Sequence, residues 1–260
     1  MRRALAAAAL LLAAPGAARA QTMLDQEDRL IQIHALLLDL PPVEAPGAWR
    51  WREAGLGLEL VAIPTIDGTT GSKRQITASD RTRVFPRPRL AIGLPAPAGF
   101  RAFAGLSYVP PVEVREITVH LVAAEAGIAW TPGPLRLELR GHALSARTES
   151  PVTDPATRDT LRAGELGLDL TAGWEAALGP ALLAPYAGAG LTRLSGDFRV
   201  TSDGARLESR YTAAALHAGL RALLFRHVEG VAEWDLYPGR LVHPRFRVSW
   251  VMELGTGPGS

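Results

Sequence analysis

The chain has 260 residues, with 28 basic and 26 acidic side chains, 47% hydrophobic residues and no cysteine. The missing cysteine excludes a disulfide framework, a thiolate metal site and a lipid-attachment cysteine. The near-balance of charge, without a basic cluster interleaved with aromatics, gives no footing for a nucleic-acid partner.

Residues 1–20 carry Arg2 and Arg3, an apolar run from Ala4 to Ala14 and then Ala18-Arg19-Ala20, the charged, apolar and A-x-A parts of a secretory signal peptide. The paired arginines lack the surroundings of a twin-arginine signal, so ordinary secretion is expected. Cleavage removes three of the 28 basic side chains and leaves 25 against 26 acidic ones. Beyond the signal, the longest apolar stretch, Tyr211 to Phe225, is interrupted by His217 and Arg221. No helical membrane span is therefore expected.

Residues 21–50 read as a short helix and a linker. Asp25, Glu27 and Asp28 suit a first helical turn, and Leu30, Ile31, Ile33, Leu36, Leu37 and Leu38 follow. Pro41, Pro42, Pro46 and Gly47 then end the helix and stiffen the chain.

From Trp51 the periodicity changes to two, which gives an extended strand one apolar and one polar face. Strand one sets Leu56, Leu58, Leu60 and Ala62 against Gly57, Glu59 and Val61, and Asp67 to Arg83 predicts a long polar loop. Strand two carries Leu90, Ile92 and Leu94. After the Pro95 to Gly99 return, strand three carries Ala102, Ala104, Leu106 and Tyr108 and is expected to end at Pro110 and Pro111. Strand four shows Ile117, Val119 and Leu121 in one phase and Val122, Ala124, Ala126, Ile128 and Trp130 in the other, which predicts a bulge near Leu121.

Strand five opposes Leu135, Leu137 and Leu139 to Arg136, Glu138, Arg140 and His142, the clearest alternation in the chain. A second long loop is expected from Arg147 to Ala163. Strand six sets Leu166, Leu168, Leu170, Ala172 and Trp174 against Glu165, Asp169, Thr171 and Glu175, and strand seven covers about Leu183 to Leu194. A third long loop is expected from Ser195 to Ser209, before strand eight with Ala214, Leu216, Ala218, Leu220, Ala222 and Leu224. A short turn at Arg226-His227 leads to strand nine, where Ala232, Trp234 and Leu236 oppose Glu229, Val231, Glu233 and Asp235. Strand ten alternates Phe246, Val248, Trp250, Met252 and Leu254 with Arg245, Arg247, Ser249, Val251 and Glu253.

The expected connections alternate between long and short, and an even strand count returns both termini to one side. Trp130, Trp174, Tyr186 and Phe225 fall at one set of strand ends and Tyr108, Tyr211, Tyr237 and Phe246 at the other, whereas Trp250 and Phe103 fit neither. Antiparallel pairing brings Arg140 to Asp169, Arg136 to Glu175, Asp235 toward Arg245 and Arg247, and Glu59 to Arg247. A soluble sandwich would bury the leucine faces against each other and leave these charges in water. It accounts for the alternation but not for the loop rhythm or the aromatic ends.

Together with the export signal, this pattern over residues 51–254 resembles bacterial outer-membrane β-barrel proteins. The resemblance is to an architecture, and it implies an all-β, ten-stranded antiparallel transmembrane β-barrel in the cell outer membrane, with a short N-terminal periplasmic helix at its mouth or plugging its lumen. The implied partners are outer-membrane lipid and the barrel-assembly machinery. Such chains usually end on an aromatic residue, whereas here Leu254 is followed by residues 255–260, expected to be a flexible tail.

Lumen-facing positions are expected at Glu59, Arg136, Glu138, Arg140, Asp169, Glu233, Asp235 and Arg247. A ten-stranded lumen is narrow, so a structural barrel or a narrow channel for small solutes is the expected function. The six histidines show no metal-site spacing and no glycine-rich loop opens a helix, so neither metal nor cofactor is expected. Outer-membrane barrel hydrolases carry their nucleophile and base at the outer rim. On that analogy His142 and Ser145, with His120 and Asp80 nearby, are candidates for a site acting on lipid or peptide. A secreted soluble binding barrel is the remaining alternative.

Overall fold

The computed structural model describes residues 43–63, 76–77, 83–114, 117–150, 156–202, 204–238 and 241–255. The signal peptide, the expected helix as far as residue 42 and the tail beyond residue 255 lie outside these residues. Among the described residues ten strands form the wall: β1 Glu53–Ile63, β2 Arg83–Leu94, β3 Phe100–Val114, β4 Ile117–Trp130, β5 Leu135–Ser150, β6 Asp159–Trp174, β7 Ala181–Arg199, β8 Arg206–Leu224, β9 Val228–Tyr237 and β10 Leu241–Glu253. Each pairs antiparallel with the next, and β1 also pairs with β10 from Glu53↔Glu253 to Val61↔Arg245. The sheet therefore closes on itself as an all-β barrel. Ile76–Thr77 adds a parallel bridge to β10, and Ala176–Leu178 pairs with the start of β7.

Alternation sorts the wall into two faces. Leu166 and Leu170 stay 65% and 63% exposed on the outside, whereas Glu59, Arg87 and Arg247 are 0% exposed on the inside. This is the reverse of a water-soluble barrel, which buries its leucines and exposes its charges.

The strands are uneven in length: β7 and β8 have 19 residues each, β9 only 10. At about 3.3 Å per residue and a tilt near 40°, a 19-residue strand stands roughly 45–50 Å tall, against roughly 25 Å for the 10-residue β9. In this extra height the faces exchange polarity. Leu144, Ala146, Leu161, Ala163, Leu194, Ala213 and Ala215 point inward and pack with Val61, Leu121 and Tyr237. Arg147, Arg162, Arg193 and Arg210 are on the outside. Residues 147–150, 159–163, 195–199 and 206–209, expected within long loops, are thus strand. Their outward residues are polar because the apolar set has moved to the inner face.

Two expectations about irregularities are corrected. β3 does not stop at Pro110 and Pro111 but runs on to Val114, and its register against β4 shifts between Val109 and Val112. The bulge lies on β3, where the prolines have no N–H to give to the ladder, and Leu121 stays in phase with the rest of β4. Pro86 and Pro88 are accommodated similarly, because β2 pairs with β3 only from Arg89 to Leu94 and has β1 beside it elsewhere.

Aromatic placement also differs in part. Trp51, Trp130, Trp174, Phe225 and Trp250 are exposed near the short-turn end, so Trp250 joins that ring, stacked on His227 with centroids 5.6 Å apart. Tyr186 and Tyr237 instead point into the barrel and are buried, Tyr211 packs on the inner apolar cluster, and Phe103 is buried inside. Phe246 is outside at mid-height, opposite Leu60 and Ala232.

The β8–β9 turn holds Phe225 and Arg226 at φ 51° and 64°, closed by His227 N–H donating to Leu224 C=O over 3.0 Å. A side chain in this left-handed region costs about 1–2 kcal/mol that glycine does not incur. Arg226→Gly is expected to raise the urea midpoint of the folded protein by the equivalent of about 1 kcal/mol. A lowered midpoint would show that Arg226 contributes more through its side chain than its backbone costs.

Candidate functional site

The lumen is not lined by wall residues alone. Residues 43–49, Val-Glu-Ala-Pro-Gly-Ala-Trp, are all buried and run inside the barrel toward its short-turn end. Their backbone groups are met by wall side chains, as enclosed peptide groups must be. Val43 N–H donates to Glu59 Oε2 (3.3 Å) and Gly47 N–H to Glu138 Oε2 (2.8 Å). The Gly47 carbonyl accepts from Arg101 (2.5 Å) and the Ala48 carbonyl from Arg221 (3.4 Å). Val43 and Ala45 pack with Tyr186 and Val231, and Trp49 with Ala91, Phe103 and Val251.

This fit requires glycine at two wall positions. A Cβ at Gly55 would run into the Trp49 indole, and one at Gly93 would meet the Arg50 carbonyl. The segment leaves the lumen through a turn in which Glu53 N–H donates to Arg50 C=O (3.0 Å) and Arg52 has φ 67°. The second half of the expected linker is therefore inside the barrel.

Glu44 holds this segment. Its Oε2 accepts from Trp49 Nε1 (2.7 Å), Arg89 Nη2 (2.5 Å) and Arg247 Nη1 (3.1 Å), and its Oε1 from Arg247 Nη2 (3.1 Å). A continuous string of charges passes through it. Arg221 binds Glu229 (2.6 Å), Glu229 binds Arg247, and beyond Glu44 the string continues through Arg89 and Glu125 to Arg140, 3.6 Å from Glu125, and on to Asp169 (2.8 Å). His142 ends it, with Nδ1 3.1 Å from Asp169 and Nε2 2.6 Å from Glu165.

Arg245 gathers Glu233 (2.5 Å), Asp235 and, at 3.9 Å, Glu59, which also binds Arg87 (2.7 Å). Tyr186 donates to Glu233 (2.7 Å). At the short-turn end Arg136 binds Glu175 (2.7 Å) beside a vestibule of about 710 Å³ framed by Ala48, Arg101, Glu175, Arg221 and Trp250.

Glu59, Arg136, Glu138, Arg140, Asp169, Glu233, Asp235 and Arg247 thus all have buried side chains in this interior. Glu59 and Arg247 are register partners across the β1–β10 seam, yet their carboxylate and guanidinium turn to Arg87 and to Glu44 with Glu229. Asp235 is met by Arg245 and not by Arg247. His142 and Ser145 are not brought together: three residues apart on a strand, they fall on opposite faces, His142 buried inside and Ser145 exposed outside. His120 sits edge-on to Tyr108 at 5.8 Å, and Asp80 lies outside the described residues. The rim pair proposed for hydrolysis does not form.

Sequence reasoning missed Arg87, Arg89, Glu125 and, above all, Glu44. The first three alternate with Pro86, Pro88, Leu90, Ala124 and Ala126 and carry a readable period of two. Glu44 stands alone in a proline-rich segment and carries none.

No known family profile and no curated protein matches the chain. The solved structures it is similar to are outer-membrane β-barrels. The translocator domain of the autotransporter NalP from Neisseria meningitidis is 11% identical, with 87% of this chain and 97% of that one covered and a TM-score of 0.48. The β domain of the Bordetella autotransporter BrkA is 14% identical over 78% and 98% of the two chains, with a TM-score of 0.42. Ail, the attachment invasion locus protein of Yersinia pestis, is 9% identical over 78% and 99%, with a TM-score of 0.30.

Removing the Glu44 carboxylate leaves Arg89 and Arg247 enclosed without it. Glu44→Ala is expected to destabilise the barrel by about 3–5 kcal/mol, the usual cost of breaking a buried pair from one side, and Glu44→Gln by less. Urea titration of the folded protein measures both. An unchanged midpoint for Glu44→Ala would mean that the segment is held by Trp49 and its backbone contacts alone.

Proposed function

We propose that the chain is a transmembrane barrel of the bacterial outer membrane, exported by residues 1–20 and stoppered by its own residues 43–49. The observation that carries this reading is the unbroken apolar exterior, with Leu56, Leu90, Leu106, Leu139, Leu168, Leu191, Leu220 and Val248 all exposed around the wall. Such an area in water would be far larger than the patches soluble monomers present. It suits lipid, with the aromatic ring at the short-turn end as an interfacial anchor on the periplasmic side. Outer-membrane lipid and the barrel-assembly machinery are the partners that follow from this placement.

A channel role for small solutes fits the same barrel only when residues 43–49 withdraw, because Glu44 and its arginines occupy the lumen. The hydrolase alternative loses support with the separation of His142 from Ser145. A soluble binding barrel would have to expose the leucine belt to water.

The mature protein is expected to require detergent for extraction and to migrate differently on gels before and after heating. A detergent-free, fully soluble protein would end the membrane reading. In planar bilayers the wild type is expected to conduct rarely, and Glu44→Ala combined with Trp49→Ala to raise the open fraction several-fold. Equal conductance in both would remove the stopper role while leaving the barrel in place.

A further inference from the structure

The four tallest strands place a set of arginines outside the barrel, directly above the leucine belt. Across β5, β6, β7 and β8 the register aligns Arg147, Arg162, Asp197 and Glu208 in one row, Ser145, Gly164, Ser195 and Arg210 in the next, and Ala143, Leu166, Arg193 and Thr212 below that. The row beneath is Gly141, Leu168, Leu191 and Ala214, already within the apolar surface. Arg162, Arg193 and Arg210 therefore surround a floor of Gly164 and Ser195, whose hydroxyl donates to the Gly164 carbonyl over 3.3 Å. Neighbouring positions on such a sheet are about 5 Å apart across strands and about 7 Å apart along them, so three long guanidinium side chains reach one point above this floor.

These three arginines are exposed, and none has a carboxylate within 4 Å among the described residues. The nearby acids are already engaged. Asp197 accepts two hydrogen bonds from Arg206 at 2.9 Å, which hold its carboxyl below the usual carboxylate range, and it also faces Arg199 at 3.8 Å. Glu149 binds Arg147 (2.6 Å), and Glu208 binds Arg206 (2.7 Å). Arg162 stands between Arg147, which Glu149 holds, and Asp197, which Arg206 and Arg199 already share.

We propose that Arg162, Arg193 and Arg210 form a docking site for the phosphate of an anionic membrane lipid, whose acyl chains lie along Leu166, Leu168 and Leu191. This inference rests on the membrane reading above. The guanidinium fork matches phosphate oxygens, and the small floor lets a headgroup approach the sheet. Continuity with the belt commits the site to a lipid and not to a free anion, since the apolar rows start where Arg193 ends.

The test uses the full mature protein in neutral detergent, incubated with lipid A, a phosphomonoester-bearing glycolipid, or with phosphatidylcholine, and read by native mass spectrometry. Wild type is expected to retain lipid A in preference to phosphatidylcholine. The triple variant Arg162→Gln/Arg193→Gln/Arg210→Gln is expected to lose affinity about a hundredfold, taking roughly a factor of five for each basic side chain at a membrane surface. Heat-modifiable migration of each variant reports folding independently. A folded triple variant that retains lipid A as wild type does overturns the site and leaves the membrane reading intact, whereas a wild type soluble without detergent overturns both. If the triple variant does not fold, Arg193→Gln alone is expected to lose about fivefold, and no loss overturns the site. Displacement of lipid A by equimolar inorganic phosphate would also overturn it, because the apolar rows would then contribute nothing.

Discussion

Enclosed charge governs this barrel. An arginine or glutamate inside a wall whose outer face is leucine has no water to fall back on, so each must find its opposite within the lumen. The string from Arg221 through Arg247, Glu44, Arg89, Glu125 and Arg140 to Asp169 is the solution the chain adopts. Glu44 is the one link in it that does not come from the wall. The lumen segment is therefore a structural member of the barrel, and the arginines on β2 and β10 depend on it as much as it depends on them.

The same constraint explains why the wall is so particular about size on its inner face. Where the 43–50 segment presses on the wall, the strand offers glycine: Gly55 under the Trp49 indole and Gly93 under the Arg50 carbonyl. Nearer the loop end the filling changes from ion pairs to leucine, valine and alanine, and the exterior changes from leucine to arginine at the same height. The two faces exchange roles at that height: the apolar set packs together inside, and the polar set is left on the exterior.

Most of the wall was legible in the sequence because a period of two is a local signal. Leu135 to His142 and Phe246 to Glu253 declare both faces within eight residues, and antiparallel order then delivers Arg140 to Asp169 and Arg136 to Glu175. Polarity inversion is where that logic failed. Arg147 and Arg162 look like loop residues until the inward run of Leu144, Ala146, Leu161 and Ala163 is recognised as a strand face. Tyr186 and Tyr237 fall at strand ends in the sequence yet point inward, because aromatic type says nothing about which face a residue occupies. Glu44 could not be found at all from its neighbours, since its partners Arg89 and Arg247 lie 45 and 203 residues away.

The uneven height of the wall bears on how long the closed state lasts. Glu53 and Glu253, joined at the seam, are 200 positions apart, so that ladder gains nothing from local chain closure and forms only when every other strand is already aligned. The seam also falls on the low flank, where β9, β1, β2 and β10 have 10, 11, 12 and 13 residues against 19 for β7 and β8. A short ladder, nine register pairs against nineteen between β7 and β8, and the greatest sequence separation coincide there. The tall arginine-bearing flank is a hinge post by comparison, and the kinetic persistence of the barrel is set along the line where its two ends meet.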